Sequence, residues 1–324
     1  MKPASIQHCS AVARAADDDP GGSAQARRRF LIVELPLPWP SLSTDAKGLP
    51  AGVKEAIARG REVDTECGFF FIAPDEQYSV PGRLRVLEFD FGTDPRRSAS
   101  RRDLLIAPEL MADTIDALAR RSSLPDAVEI DDNQYRDFMI CTHGARDACC
   151  ATFGFPLYRS LRATAREHPG VRVWRASHFG GHRFAPTMFD FPEGRSWGFL
   201  DAPTAEMILT RDSDVARLRH HYRGWTGHSD PALQLLEREL FVREGWPWLE
   251  NRQDGHVIER DENGEVLSVA ITAYRPVGSA IEYRASFERG DDIVTMGSCN
   301  GETLTVPRRR IHSITSRELA VVTR

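Results

Sequence analysis

The stretch Phe138-Met139-Ile140-Cys141-Thr142-His143-Gly144-Ala145-Arg146-Asp147-Ala148-Cys149-Cys150 decides the architecture. Three apolar residues make a strand that runs straight into Cys141. A polar, glycine-containing loop follows, and Asp147 is a good N-cap that would place Cys150 in the first turn of a helix. A helix N-terminus stabilises a thiolate through its dipole and free amides, so Cys150 is the better metal ligand and Cys149 its neighbour.

Working outward, 156–166 reads as a helix with Pro156 at its first position. Strands are expected at 171–177, 187–191 and 197–200, with a turn at 192–194 and a helix over 205–210. Upstream, the same order recurs: a strand at 30–33, a helix over 51–61, strands at 69–72, 84–91 and 103–106, and a helix over 109–120. The shared order suggests a diverged internal duplication. Beyond residue 215 a helix is expected over 231–243, a hairpin over 254–274 with Asn263-Gly264 as its turn, and a strand pair within 281–298. The predicted class is α/β, with units at 1–125, 126–214 and 215–324, the last an α+β extension.

A second segment, Ser177-His178-Phe179-Gly180-Gly181-His182-Arg183-Phe184-Ala185-Pro186-Thr187, supplies two histidines. Gly180-Gly181 makes a regular helix improbable there, so a tight loop is expected, with the glycines letting backbone approach a bulky inorganic centre. Two thiolates and two imidazoles fit a tetrahedral zinc site, and they equally fit a two-iron cluster with two histidines on one iron. His143 and Cys149 lie close enough in sequence to contribute, and Arg146 and Arg183 flank the ligands. Cys9, Cys67 and Cys299 read as buried small side chains.

The whole chain has 324 residues, 41% hydrophobic and 27% charged, with a formal charge of -5. Two or three domains are expected at that length. The mild negative charge argues against nucleic acid as the main partner. No apolar run is long enough for a bilayer and the N-terminus lacks a secretory core, so no membrane association and a cytoplasmic location are expected. Six cysteines, two of them adjacent, do not make a disulfide framework; in a reducing compartment they point to metal or redox chemistry.

The runs CTHGARDACC and SHFGGHRFAPT, with Gly154-Phe155-Pro156-Leu157 and Val173-Trp174 between them, closely resemble the sucrase/ferredoxin-like family of thioredoxin-like proteins. Cys9-Ser10 and RRFLIVELPLPW at 28–39 resemble its N-terminal half, so the resemblance spans about residues 5–215. It implies thioredoxin-like units holding a [2Fe-2S] cluster on Cys141, Cys150, His178 and His182. The function it implies is one-electron transfer, open to coupling with protons, between redox protein partners rather than catalysis. No placed carboxylate pair supports glycoside hydrolysis. A zinc-stabilised binding protein and a thiol redox enzyme using Cys149 or Cys150 are the alternatives.

Overall fold

The computed structural model describes residues 6–92, 99–125, 128–131, 134–276 and 279–319. The expected start of the second unit, at residue 126, lies outside them. Along the chain the elements are α1 (Cys9–Ala15), β1 (Arg29–Glu34), α2 (Val53–Val63), β2 (Cys67–Ile72), β3 (Leu84–Asp90), β4 (Ser100–Ile106), α3 (Met111–Ala119) and β5 (Glu129–Ile130). Then come β6 (Arg136–Cys141), α4 (Ala148–Thr164), β7 (Val171–Ala176), β8 (Met188–Phe191), β9 (Arg195–Trp197), α5 (Ala202–Thr210), β10 (Tyr222–Trp225) and α6 (Pro231–Glu244). The last strands are β11 (Arg252–Arg260), β12 (Val266–Tyr274), β13 (Ala280–Arg289), β14 (Ile293–Met296), β15 (Thr303–Val306) and β16 (Arg309–Leu319).

One mixed sheet of ten strands runs β10-β9-β8-β6-β7-β2-β1-β3-β4-β5. Its halves repeat one plan. In the first, β1 pairs parallel with β2 across α2 and antiparallel with β3, which pairs with β4. In the second, β6 pairs parallel with β7 across α4 and antiparallel with β8, which pairs with β9. The fold is α/β, as expected, and the sheet is continuous across the junction of the first two units.

The halves join through one register pair, Ile72 with Ala176, extended by backbone bonds from Ala73 to Arg175 and from Ser177 to Phe71. About that narrow seam the sheet folds on itself. Phe30, Phe70 and Phe89 of the first half pack with Phe189 and Phe191 of the second in one buried cluster, with ring centroids 4.3–6.1 Å apart. Buried charge crosses the same interface. Arg172 bonds Asp137 on its own half and Asp103 on the other, and Arg101 lies against both carboxylates. Such charges stay buried only because they are paired.

The C-terminal segment forms a second sheet, β11-β12-β13-β16, and a separate β14–β15 hairpin. Helix α6 lies between the sheets, and residues of both sheets share its buried core. The expected hairpin at 254–274 is β11–β12. The strand pair expected within 281–298 does not pair with itself. Instead β13 takes β12 and β16 as neighbours, and β14 takes β15. Strand β16 is mostly exposed and polar, so it carries little apolar alternation to read.

Two further expectations are corrected. Helix α4 begins at Ala148, as the expected Asp147 cap requires, the carboxylate accepting from the Cys149 amide at 2.9 Å; what is corrected is Pro156 as the first position of a helix over 156–166. Pro156 sits inside α4, where its missing N–H omits one bond of the ladder. Strand β9 covers Arg195–Trp197 rather than 197–200, since Phe199 takes a left-handed backbone with φ 54°. Gly154 lets α4 lie directly on β6: a Cβ there would come 2.0 Å from the Cys141 carbonyl oxygen.

Candidate metal centre

The seam and the α4 cap together place the chemistry. Cys141 ends β6, Cys150 lies in the first turn of α4, and His178 lies two residues beyond the end of β7. β6 and β7 are parallel neighbours, with Cys141 in register with Ala176, so their C-terminal ends open at the same edge. The thiols of Cys141 and Cys150 and a ring nitrogen of His178 all lie within 4.8 Å of one another. His178 Nδ1 stands 3.7 Å from Cys150 Sγ and 4.0 Å from Cys141 Sγ. Both cysteines are buried and His178 is half-buried.

His182 starts a short 3-10 turn and is also half-buried, with its ring centroid 5.2 Å from that of His178. Its Nδ1 faces the Asp147 carboxylate at 3.2 Å and Cys9 Sγ at 3.5 Å. Among the described residues no protein group bonds its Nε2. His182 is not in the group of donors that lie within 4.8 Å of one another, which holds Cys141, Cys150 and His178. A carboxylate on the outer nitrogen of a ligating imidazole fixes its tautomer and raises its basicity.

Electrostatics single out one thiolate. Burial alone would raise the Cys141 thiol, but hydrogen bonds from Cys150 and His178 outweigh it and hold Cys141 well below the ordinary thiol range. Cys150 is pushed up, by its bond to that thiolate and by burial. Burial lowers His182 against the opposing pull of Asp147.

The remaining residues of the two loops fall into place. His143 is buried and both its nitrogens are used: Nε2 donates to the Pro40 carbonyl at 2.8 Å, and Nδ1 accepts from the His178 amide at 3.2 Å. It positions His178 and is not a ligand. Arg183 pairs with Asp18, and Arg146 is exposed. The glycines have a role within the chain itself. Gly180 and Gly181 have φ 92° and 79°; a Cβ on Gly180 would meet nothing within 4 Å, and one on Gly181 would meet the Arg223 guanidinium at 2.4 Å. They serve the left-handed turn and the packing of a buried arginine whose Nε donates to Ser23 Oγ at 3.0 Å.

A second thiol group, which the sequence alone did not reveal, lies on the other side of Asp147. Cys149 Sγ is 3.6 Å from Cys9 Sγ and 3.2 Å from Cys299 Sγ, and Asp147 joins all three. Cys9 is buried as expected while Cys299 is only half-buried, and both belong to a thiol group the expectation did not include. Cys67 is buried among apolar residues of the first half, away from either group. No spacing signal could have found the group, because its thiols are 140 and 150 residues apart in the chain. None of the six cysteines is in a disulfide.

A cleft of about 810 Å³ is lined by Asp18, Arg183, Arg238 and Arg308 among others and by none of the cysteines. Among the described residues no helix is long and apolar enough to cross a membrane. A family model described as sucrase/ferredoxin-like matches residues 20–224, from the segment before β1 into β10. No curated protein and no solved structure matches the chain.

Proposed function

Because the chain belongs to the sucrase/ferredoxin-like family, we propose that it is a one-electron carrier whose [2Fe-2S] cluster is held by Cys141, Cys150, His178 and His182. The observation that carries this reading is the donor set: two buried thiols and an imidazole within 4.8 Å, with a second imidazole one ring away. Two sulfurs and two nitrogens suit a cluster with cysteines on one iron and histidines on the other. When bound, such a cluster accepts and returns a single electron. The paired half-sheets, each a β-α-β-β-β-α run, suit two thioredoxin-like units, of which only the second carries the centre.

The chain's own groups do the rest. Buried sulfurs keep water from the metal side, while the half-buried imidazoles give electrons a short path to a docked redox protein. Arg223, buried beside Gly181, puts a fixed positive charge near the loop and offsets added negative charge. We expect Gly181→Val to lose bound iron although no donor changes. The new side chain must displace the Arg223 guanidinium and adopt φ near 79°, which β-branched residues avoid. Full iron and sulfide content in that variant would contradict this account of the loop.

The outer imidazole nitrogens also couple electrons to protons. His182 Nδ1 holds its proton against Asp147, and an arriving electron makes that proton harder to remove. Between the oxidised and reduced pKa values the reduction potential should fall by about 59 mV per pH unit for each proton taken up. A redox titration from about pH 6 to pH 10 reads this slope, and a flat potential would exclude coupling through either imidazole.

One observation favours a second reading, a zinc-stabilised binding protein. The 3.7 and 4.0 Å separations of His178 from the two sulfurs also suit donors sharing one tetrahedral ion. Iron and sulfide content distinguishes the two.

A further inference from the structure

We propose that the protein holds a second metal, a structural zinc bound by Cys9, Cys149 and Cys299 with His8 Nδ1 as the fourth ligand. The inference rests on the second thiol group alone and is independent of what occupies Cys141 and Cys150. Cys9 and Cys299 both lie outside the matched residues 20–224.

Three segments converge on the group. Cys9 opens α1, Cys149 lies in the first turn of α4, and Cys299 sits in the turn between β14 and β15. The three Sγ–Sγ distances are 3.6, 3.2 and 4.0 Å. Zn–S bonds of about 2.3 Å at tetrahedral angles put sulfurs about 3.8 Å apart. A nitrogen ligand at about 2.0–2.1 Å would then stand about 3.5 Å from each sulfur. His8 Nδ1 is 3.7 Å from Cys149 Sγ and 3.8 Å from Cys299 Sγ. The three sulfurs need shifts of only a few tenths of an ångström, and His8, which lies outside the group of donors within 4.8 Å of one another, swings toward Cys9 to close a Cys₃His shell, the composition of structural zinc sites.

Asp147 is close but otherwise engaged. Its Oδ1 accepts from the Cys149 amide at 2.9 Å and its Oδ2 from the Cys299 amide at 3.0 Å; the Cys299 thiol proton that Oδ1 also accepts, at 3.0 Å, leaves when that sulfur binds zinc as a thiolate. Those bonds hold the two ligand-bearing loops, so Asp147 orients the site and His8 completes it. Backbone pairing agrees with a built site: the Asn300 amide donates to the Gln7 carbonyl at 3.1 Å, and the Gln7 amide donates to Asn300 Oδ1 at 2.8 Å. The zinc would clamp the N-terminal helix and the C-terminal hairpin onto the turn of α4 that also carries Cys150.

Zinc and iron counted by mass spectrometry in one sample of the full chain, purified without chelator, test the proposal. We expect one zinc per chain to be lost from Cys9→Ser and from Cys299→Ser, while the metal at Cys141 and Cys150 is retained. Because either variant could misfold, zinc-edge X-ray absorption of the unaltered protein gives a separate reading. The expected shell is three sulfurs at about 2.3 Å and one nitrogen at about 2.0 Å, with the nitrogen lost in His8→Ala. A wild-type protein without zinc, zinc unchanged in both cysteine variants, iron lost in place of zinc, or a Cys149–Cys299 disulfide in the purified chain would overturn it.

Discussion

Replacing Cys150 with alanine is expected to strip visible colour and bound iron from the purified protein, while Cys149→Ala keeps both. Successive helix residues point about 100° apart around the axis, so neighbours in the first turn of α4 serve different sites. Cys150 Sγ stands 3.7 Å from His178 Nδ1 and groups with Cys141. Cys149 Sγ turns to Cys9 and Cys299, and it accepts from the Ser10 amide at 3.4 Å. The Cys9 bond, with those from Ser10, Cys299 and His8, outweighs burial and brings the Cys149 thiol down to about 6. Cys141→Ala, His178→Ala and His182→Ala should bleach the protein as Cys150→Ala does, because each removes a donor whose binding also organises its loop. Colour lost in Cys149→Ala and kept in Cys150→Ala would reverse the assignment of the two sulfurs.

The second large effect belongs to the interface between the halves. Asp137 is fully buried and accepts from Arg172 Nε at 2.7 Å, Arg172 Nη2 at 3.0 Å and Trp174 Nε1 at 2.8 Å. Asp137→Ala leaves the Arg172 guanidinium buried with Asp103 as its remaining carboxylate, at 2.9 Å, and orphans the indole N–H. Breaking a buried pair from one side costs about 3–5 kcal/mol. Urea unfolding should report a loss of that size, with the midpoint lowered. A loss under about 1 kcal/mol, the range of an exposed pair, would mean the network contributes little to holding the halves together.

How much of this was legible in the sequence depends on the distance over which each signal acts. The strands β1, β3, β6, β7 and β8 were readable because their apolar residues are local and bury fully against one sheet. The loop at 141–150 and the loop at 177–187 were readable as ligand carriers because each concentrates its donors within a few residues. Their common edge follows from the parallel β6–β7 pairing, which a strand-helix-strand run makes the default. The Asp147 cap was legible, but Pro156, whose preference is for a first turn, hid that α4 runs unbroken from Ala148 to Thr164. Cys9 and Cys299 stayed invisible for a different reason. Their partnership with Cys149 is made only by the fold, when the β14–β15 hairpin brings Cys299 beside α1 and α4. The role of the C-terminal segment was hidden for the same reason.

The most direct measurement is the visible absorption and electron paramagnetic resonance of anaerobically purified protein, before and after dithionite, with iron and acid-labile sulfide counted in the same sample. The account predicts a coloured oxidised protein with two irons and two sulfides per chain. Dithionite should partly bleach it and produce the resonance of a single unpaired electron. A colourless sample without iron or sulfide, unchanged by dithionite, would contradict the electron-carrier function at Cys141, Cys150, His178 and His182.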